Sequence, residues 1–380
     1  MAKQYLYIDT QAALVAYCEQ ASTQAVIAVD TEFVRTRTFY PHIGLVQIYD
    51  GVDVALIDPI AIDDLSALSA LMTNPNVIKV LHACSEDLET FDVALGIMPS
   101  PLFDTQVAAQ LAGLGNSVGY GKLVELLQDI LLEKGESRTD WLRRPLRAEQ
   151  LQYAAEDVLY LLPCYFQLVE TLTDKQQLSW VYDEIAQLTK RKQAKIQPEH
   201  AYLQLKNTWK LAPISVYVLQ QLAAWRLNQA REHDITQNFI IREHGMYEIA
   251  QTLPSHKGAL FALEVVTPQE ARRNQVPILD IVRLARETDP ALYPKPAQRL
   301  TDLPLYKKHY AQIKAICTEA GEAVAVDPTF FASKRQINQV ISWYRNSFDD
   351  TRALGMQPDL LVGWRGELVG AKISALLSAS

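Results

Sequence analysis

Residues 26–33 read VIAVDTEF, an apolar run that ends in two carboxylates spaced two residues apart. The β-branched residues of Val26–Val29 predict a short buried strand. Asp30 and Glu32 then lie at the end of that strand, and both project to one face because side chains alternate along a strand. Two adjacent carboxylates repel each other unless a cation lies between them. Asp-x-Glu is common, however, and taken alone its default interpretation is a solvated strand end.

The remainder of the first half alternates strands with helices. Further strands are predicted at Gly44–Tyr49, Val54–Ile57 and Ile78–Leu81. Helices are predicted at Thr10–Gln20, Asp63–Met72, Ser85–Leu95, Thr105–Leu111, Lys122–Leu127 and Ala148–Leu161. Early hairpin-like strands followed by β-α alternation indicate an α/β domain, a mixed sheet with helices on both faces.

Two further acidic clusters follow. In VIKVLHACSEDLETF (77–91), a strand ends near Leu81 and Ser85 can cap a helix with Asp87 in its first turn. The helix dipole alone favours an acid there, so Asp87 by itself is typical of a helix start. In LQYAAEDVLYLL (151–162), Tyr153 and Asp157 are spaced i, i+4 and share a helix face. Together the clusters offer four carboxylates, which suits two divalent cations such as Mg²⁺ or Mn²⁺.

The second half of the chain differs in charge and in pattern. The chain has 380 residues and a net charge of −8, but residues 1–189 carry 11 Lys+Arg against 26 Asp+Glu, while residues 190–380 carry 25 against 18. The basic excess could contact phosphates, or it could be a solvated surface. KRKQAKIQPEH (190–200) is polar and predicts a linker. We therefore predict a domain at 1–189, a linker at 190–211, and two small all-α domains at 212–290 and 300–380.

In order and local context, the four carboxylates resemble those of the DEDD exonuclease superfamily, which has a ribonuclease H-like fold. Tyr153 resembles the Tyr-type branch, because the His-type branch would place a His where Gln152 stands. Three segments resemble the ribonuclease D family: HACSEDLE (82–89), TDWLRRPL (139–146) and YAAEDVLYLLP (153–163). WRLNQAREHDITQNFIIREH (225–244) is similar to a first helicase-and-RNase-D C-terminal (HRDC) domain, and ASKRQINQVISWY (332–344) with LLVGWRGELV (360–369) to a second HRDC-like domain.

This resemblance implies a 3′→5′ exoribonuclease that releases nucleoside 5′-monophosphates by a two-metal mechanism. It implies that Asp30, Glu32 and Asp157 hold the cation that activates water, that Asp30 bridges to the second cation, and that Asp87 holds the second. Tyr153 would orient the water, since a phenol is a poor base near neutral pH; core packing is the alternative for this ring. The implied partners are RNAs with a free 3′ end, tRNA precursors among them, and a monomer is expected.

Substrate contacts are predicted at two places. Phe33 could stack on the terminal base, and Arg35 and Arg37 could meet phosphates, although an ordinary loop is equally consistent with these residues. Trp141 and Arg144 belong to a basic stretch just before the third cluster and could line the RNA path. The alternative for that stretch is an Arg-rich helix start.

Other features of the sequence limit the function classes. We expect a cytoplasmic protein, because no apolar run approaches a membrane span, no signal segment is visible, and four scattered cysteines form no zinc or disulfide pattern. No G-x-x-x-x-G-K-[ST] loop occurs, so no nucleoside triphosphate is expected as cofactor. The competing interpretations are a 3′→5′ DNA exonuclease and a catalytically silent RNA-binding module.

Overall fold

The N-terminal domain is built on one mixed β-sheet. The structure is a computed structural model, and it describes residues 5–132, 135–136, 138–295, 298–346 and 348–378. Within these ranges the sheet has six strands in the order β1-β4-β3-β2-β5-β6. The strands are β1 (Leu6–Ile8), β2 (Val26–Val34), β3 (His42–Tyr49), β4 (Val54–Ile57), β5 (Ile78–Leu81) and β6 (Leu102–Asp104). β2 pairs antiparallel with β3 and parallel with β5, so the strand that carries the first two carboxylates lies inside the sheet.

Eight helices accompany this sheet in the part of the chain that the structure describes. They are α1 (Gln11–Ala21), α2 (Ser66–Thr73), α3 (Ser85–Leu95), α4 (Thr105–Ala112), α5 (Tyr120–Gln128), α6 (Ala148–Leu159), α7 (Leu161–Asp174) and α8 (Leu178–Gln193). Asp104, the last residue of β6, caps α4 by accepting the backbone N–H of Gln106 at 2.7 Å. Gly96 ends α3 in the left-handed conformation that glycine adopts without strain.

Successive side chains along the strands point to opposite faces of the sheet and pack into two hydrophobic cores. Ile27 and Val29 pack on one face with Leu14, Leu68 and Leu88, which come from α1, α2 and α3. Ala28 belongs to the core on the opposite face, which contains side chains of α4 to α7. The predicted α/β class, a mixed sheet with helices on both faces, is confirmed.

The second half is helical, as predicted. The first group is α9 (Pro213–His233), α10 (Gln237–Ile240), α11 (Glu243–Thr252), α12 (Lys257–Phe261) and α13 (Pro268–Glu287), which enclose a core of their own. The second group is α14 (Tyr306–Ala323), α15 (Pro328–Phe331), α16 (Lys334–Arg345), α17 (Asp350–Ala353), α18 (Gly363–Arg365) and α19 (Ala371–Ser378), with a π-turn at Gly366–Gly370. Short 3-10 turns lie at Pro198–Gln204, Thr208–Lys210, Pro290–Leu292, Leu300–Asp302 and Asp359–Leu361.

Several predicted boundaries need correction. β2 does not end at Val29 but continues to Val34, so Asp30 and Glu32 lie within a strand. The helix predicted at Ala148–Leu161 is broken at Tyr160, which separates α6 from α7. α8 runs to Gln193, so the first residues of the predicted linker 190–211 are helical.

The C-terminal helical group docks on α8. The indoles of Trp180 and Trp364 stack at 4.5 Å with an interplanar angle of 9°. Trp364 donates its indole N–H to Glu184 at 2.7 Å, and Arg365 forms an ion pair with the same carboxylate. Buried residues of this group, including Ile313 and Val340, continue the core that covers one face of the sheet. The two units therefore share one hydrophobic core.

The first helical group is fixed to the sheet at a different point. Asp234, at the C-terminus of α9, accepts the backbone N–H groups of Phe39 and Tyr40 at 3.0 and 2.9 Å. Its second oxygen lies 2.7 Å from Nε2 of His42, the first residue of β3. One aspartate thus attaches α9 to the segment that joins β2 to β3.

Candidate active site

Three of the predicted carboxylates meet where β2 faces α6. One carboxylate oxygen each of Asp30, Glu32 and Asp157 lies within 4.8 Å of the others. Asp30 and Glu32 share a face of β2, and the register of β2 against β3 shifts immediately after Glu32. A strand bulge of this kind re-aims side chains beside it. The arrangement matches the set predicted to hold one cation.

Asp87 stands at the edge of this group rather than inside it. It lies in the first turn of α3 and is 7% exposed. Its Oδ1 accepts a hydrogen bond of 2.5 Å from the hydroxyl of Thr31. Thr31 alternates with Asp30 and Glu32 along β2 and is therefore directed to the other face of the strand. Thr31 was not predicted as a site residue from the sequence. Its place between Asp30 and Glu32, with alternation along the strand, could have indicated that it faces the helix on the other side of the sheet.

Burial raises the pKa of all four carboxyl groups, and repulsion from neighbouring acids adds to this effect. Burial, then the neighbouring acids, raise the pKa of Glu32 to about 9 and hold that of Asp30 well above its usual value. Burial raises the pKa of Asp157 to about 7, against a lowering contribution from the Tyr153 phenol. The pKa of Asp87 is raised to about 6, chiefly by burial, although the Thr31 bond opposes the shift. Four buried or half-buried acids in one place favour either protons or a multivalent cation.

Tyr153 borders the same cluster. It lies one turn before Asp157 on α6, so the two side chains share one face of the helix. A cavity of about 480 Å³ opens beside Tyr153 and is also lined by Gln152, Glu156 and Tyr160. Burial and the charges of Asp157 and Glu32 raise the pKa of Tyr153, so the phenol stays protonated at neutral pH. The site therefore combines hard oxygen ligands with a neutral hydroxyl, next to a space open to a substrate.

Comparison with known proteins assigns each part of the chain. Residues 5–173 match the 3′-5′ exonuclease family, residues 217–282 the HRDC domain, and residues 304–373 the C-terminal HRDC domain of ribonuclease D. The chain is 42% identical to ribonuclease D of Cronobacter turicensis, over 97% of this chain and 99% of that protein. The chain belongs to the ribonuclease D family. It is also 39% identical to ribonuclease D of Escherichia coli K12, over 98% of both chains.

The fold comparison agrees with this assignment. A crystal structure of Escherichia coli ribonuclease D, described as an exoribonuclease involved in structured RNA processing, superposes with a TM-score of 0.94 and covers 99% of both chains. The predicted exoribonuclease function and the ribonuclease H-like fold are confirmed. The protein is a 3′→5′ exoribonuclease of the ribonuclease D family that acts on RNA and depends on divalent metal ions.

Two of the predicted substrate contacts have structural roles instead. Trp141 has no exposed surface, so its ring cannot stack on a nucleobase. Arg144 uses all five of its N–H groups inside the protein: two go to the Asp58 carboxylate and three to backbone carbonyls. Burial raises the pKa of Asp58, but the two bonds from Arg144 to its carboxylate and one from Tyr7 hold that pKa below its usual value. The prediction that Trp141 and Arg144 line the RNA path is corrected.

The other three predicted contacts lie at or beyond the end of β2. Phe33 is partly buried beside the strand bulge, whereas Arg35 and Arg37 are exposed. Arg35 pairs with Glu89 at 3.0 Å and donates to the carbonyl of Phe39 at 2.7 Å. Their contact with RNA stays a prediction.

Among the residues that the structure describes, no helix is long and apolar enough to cross a membrane.

Proposed function

We propose that this enzyme hydrolyses the 3′-terminal phosphodiester of RNA with two divalent cations, Mg²⁺ or Mn²⁺, and releases nucleoside 5′-monophosphates. The observation that carries the proposal is the group of Asp30, Glu32 and Asp157, buried or half-buried, in which one oxygen of each residue lies within 4.8 Å of the others. Carboxylates are the ligands that these hard cations prefer. Because the acids raise each other's pKa, a cation of charge +2 is the partner that lets them ionise together.

The four carboxylates divide into two positions. Asp30, Glu32 and Asp157 would hold the first cation, and Asp30 would be shared with the second. Asp87, which stands outside the close group, would hold the second cation directly or through water. When bound, a pair of such cations activates water and stabilises the charge that develops on the leaving oxygen.

Tyr153 would orient the attacking water. Burial and the charge of Asp157 raise the pKa of its phenol, which keeps its proton at neutral pH and can donate one hydrogen bond and accept another. The hydroxyl would thus position the water without acting as a base.

The proposed substrates are structured RNAs with a free 3′ end, including tRNA precursors. The Escherichia coli relative is described as acting in structured RNA processing. The excess of Lys and Arg after residue 190 supports contacts to RNA phosphates away from the scissile end. We further infer a cytoplasmic monomer that uses no nucleoside triphosphate. The four cysteines, all buried and free, suit a reducing compartment.

The test is a 3′-extended tRNA transcript incubated with the purified protein and Mg²⁺, beside an Asp30→Ala variant and an EDTA control. Stepwise shortening from the 3′ end, lost in both controls, is the expected result. A matching single-stranded DNA should be degraded more slowly. RNA that is bound but not shortened under Mg²⁺ or Mn²⁺ would contradict the proposed mechanism.

A further inference from the structure

A small cavity lies between the end of β2 and the first helical domain. Its volume is about 290 Å³, and it lies beside the point where Asp234 attaches α9 to the segment after β2. The lining residues come from both units: Arg35, Thr38 and Phe39 from the exonuclease domain, and Arg226, Thr236, Gln237, Asn238 and Glu243 from the helical domain. The cavity thus exists only because the two domains are docked.

Arg226 is the unusual member of this lining. It is only 8% exposed, and its Nε is buried without a hydrogen-bond partner. Its Nη1 donates a long hydrogen bond, 3.4 Å, to the carbonyl of Ile241. Burial lowers the pKa of the guanidinium, and the charge of Glu243, which lines the same cavity, offsets this effect only in part. A buried cation whose Nε has no hydrogen-bond partner is costly, and an anion placed in the cavity would add negative charge that Glu243 supplies only in part.

The other lining groups suit an anion with several oxygens. Arg35 adds a second cation, although Glu89 partly neutralises it. The amides of Gln237 and Asn238 and the hydroxyls of Thr38 and Thr236 are all possible hydrogen-bond donors. Glu243 opposes an anion, but one of its oxygens already accepts the backbone N–H of Lys206 at 3.2 Å. The lining contains two arginines and one glutamate, and because Arg35 is already paired with Glu89, Arg226 is the main cation left for an anion.

The position of the cavity relative to the catalytic carboxylates restricts what this anion could be. Arg35 follows Glu32 by three residues, which is about 10 Å along extended backbone. An anion in the cavity would therefore lie near the scissile phosphate but not at it. An RNA strand whose 3′ end is at Asp30 and Glu32 carries further phosphates at short range.

We propose that this cavity binds one internal phosphodiester of the RNA, upstream of the nucleotide being removed, with Arg226 as its buried cation. The inference rests on the enzyme acting on RNA. It assigns the first helical domain a direct contact close to the scissile end.

The test compares substrates of two lengths on the full-length protein with Mg²⁺. A dinucleotide carries only the scissile phosphate, whereas an RNA of about ten nucleotides also carries internal ones. Arg226→Gln should raise KM for the longer RNA roughly ten-fold, as expected when one charge-assisted hydrogen bond is lost. It should leave kcat/KM for the dinucleotide unchanged. The dependence of log KM on log salt should also become shallower, by about 0.7 for one phosphate contact to a single strand.

Arg272→Gln is the matched control, because it removes an equal charge from an exposed position on α13. It should leave KM unchanged for both substrates. Equal losses on both lengths, or no loss on the longer RNA, would overturn the proposal. If Arg226→Gln does not fold, Asn238→Asp offers a second test, because it places a carboxylate at the exposed rim of the cavity. It should raise KM for the longer RNA but not for the dinucleotide. An unchanged KM for the longer RNA would also overturn the proposal. Dinucleotide hydrolysis by these variants reports separately on the catalytic centre.

Discussion

At the scale of single residues, the hydroxyl of Tyr153 is the group whose role is most directly testable. We expect Tyr153→Phe to lower kcat about 100-fold with little change in KM, because a neutral phenol that orients water acts mainly in the transition state. The measurement is the rate of 3′ shortening of a 5′-labelled RNA. Tyr49→Phe, which loses only a hydroxyl bonded to the carbonyl of Gly51, should retain full activity. Wild-type kcat in Tyr153→Phe would leave the ring with a packing role alone.

Thr31 tests the geometry of Asp87. Its hydroxyl donates to Asp87 at 2.5 Å, and partners of this kind set the orientation of a metal ligand. Thr31→Val keeps the shape of the side chain and should weaken Mn²⁺ binding about ten-fold, measured by calorimetry without RNA. Thr31→Ser restores the hydroxyl and should restore the affinity. Equal Mn²⁺ affinity in the valine variant would show that the bond does not position Asp87.

The sequence predicts the acidic residues of the site but not their supports. Asp30, Glu32, Asp87, Tyr153 and Asp157 are recognisable because acid type, spacing and order are all visible in the chain. The bond from Thr31 is formed across 56 residues, and the burial of Arg226 depends on α10 packing over it. Neither relation leaves a local pattern, since both are created by tertiary contacts.

At the scale of elements, the segment after α5 shows why a basic and aromatic stretch can mislead. Gly44 on β3 allows the Trp141 backbone to approach so closely that a Cβ at position 44 would lie 2.6 Å from the Trp141 carbonyl oxygen. Arg144 then reaches the buried carboxylate of Asp58. In the sequence this stretch has the composition of an RNA-binding surface. Composition records charge, but it does not record which side chains are buried.

Arg144→Met tests this structural role. Removing one partner of a buried pair leaves Asp58 uncompensated, so we expect the free energy of unfolding to fall by about 3 kcal/mol in urea denaturation. The salt dependence of RNA binding should not change. Arg143→Met alters the exposed neighbour and should have little effect on stability. If Arg144→Met is as stable as the wild-type protein and its RNA binding depends less on salt, Arg144 contacts RNA and the structural role is wrong.

The missed elements have a simple physical reason. β1 and β6 span three residues each, too few for alternation to emerge, and they form because β4 and β5 offer free edges to pair with. α8 was assigned partly to a linker because its last turn is rich in Lys and Arg. Cations stabilise the C-terminus of a helix, so the same residues are consistent with a helix end.

At the scale of the whole molecule, Glu184 joins the catalytic domain to the C-terminal domain. It accepts from both Trp364 and Arg365, and Arg365 is 4% exposed. Glu184→Ala should lower the free energy of unfolding by about 3 kcal/mol, because it leaves the Arg365 charge buried and unpaired. Urea denaturation followed by tryptophan fluorescence reports on the Trp180–Trp364 stack directly. Glu170→Ala, an exposed acid on α7, is the control and should be neutral.

Metal binding and stability are coupled through the acidic cluster. Without metal, the folded protein holds protons on Asp87, Asp157 and Glu32 up to pKa values of about 6, 7 and 9, whereas the unfolded chain releases them near pH 4. Raised carboxyl pKa values mean that the folded state binds more protons over this interval. The contribution of the cluster to stability is therefore present at low pH and is lost as pH rises from about 4 to about 9. In EDTA we expect the melting temperature to fall across this range.

A divalent cation replaces those protons and binds the folded state alone, so Mg²⁺ should raise the melting temperature more at pH 9 than at pH 6. Other groups titrate in the same interval. Burial lowers the pKa of Lys79 to about 8, which makes its contribution rise with pH and oppose the trend. The decisive quantity is therefore the difference in melting temperature between the wild-type protein and the Asp30→Asn variant. This substitution removes one acid, and its repulsion, from the cluster. Asp30→Asn should flatten the pH dependence in EDTA and abolish most of the Mg²⁺ effect. If both proteins respond alike to pH and to Mg²⁺, the acidic cluster is not the metal site.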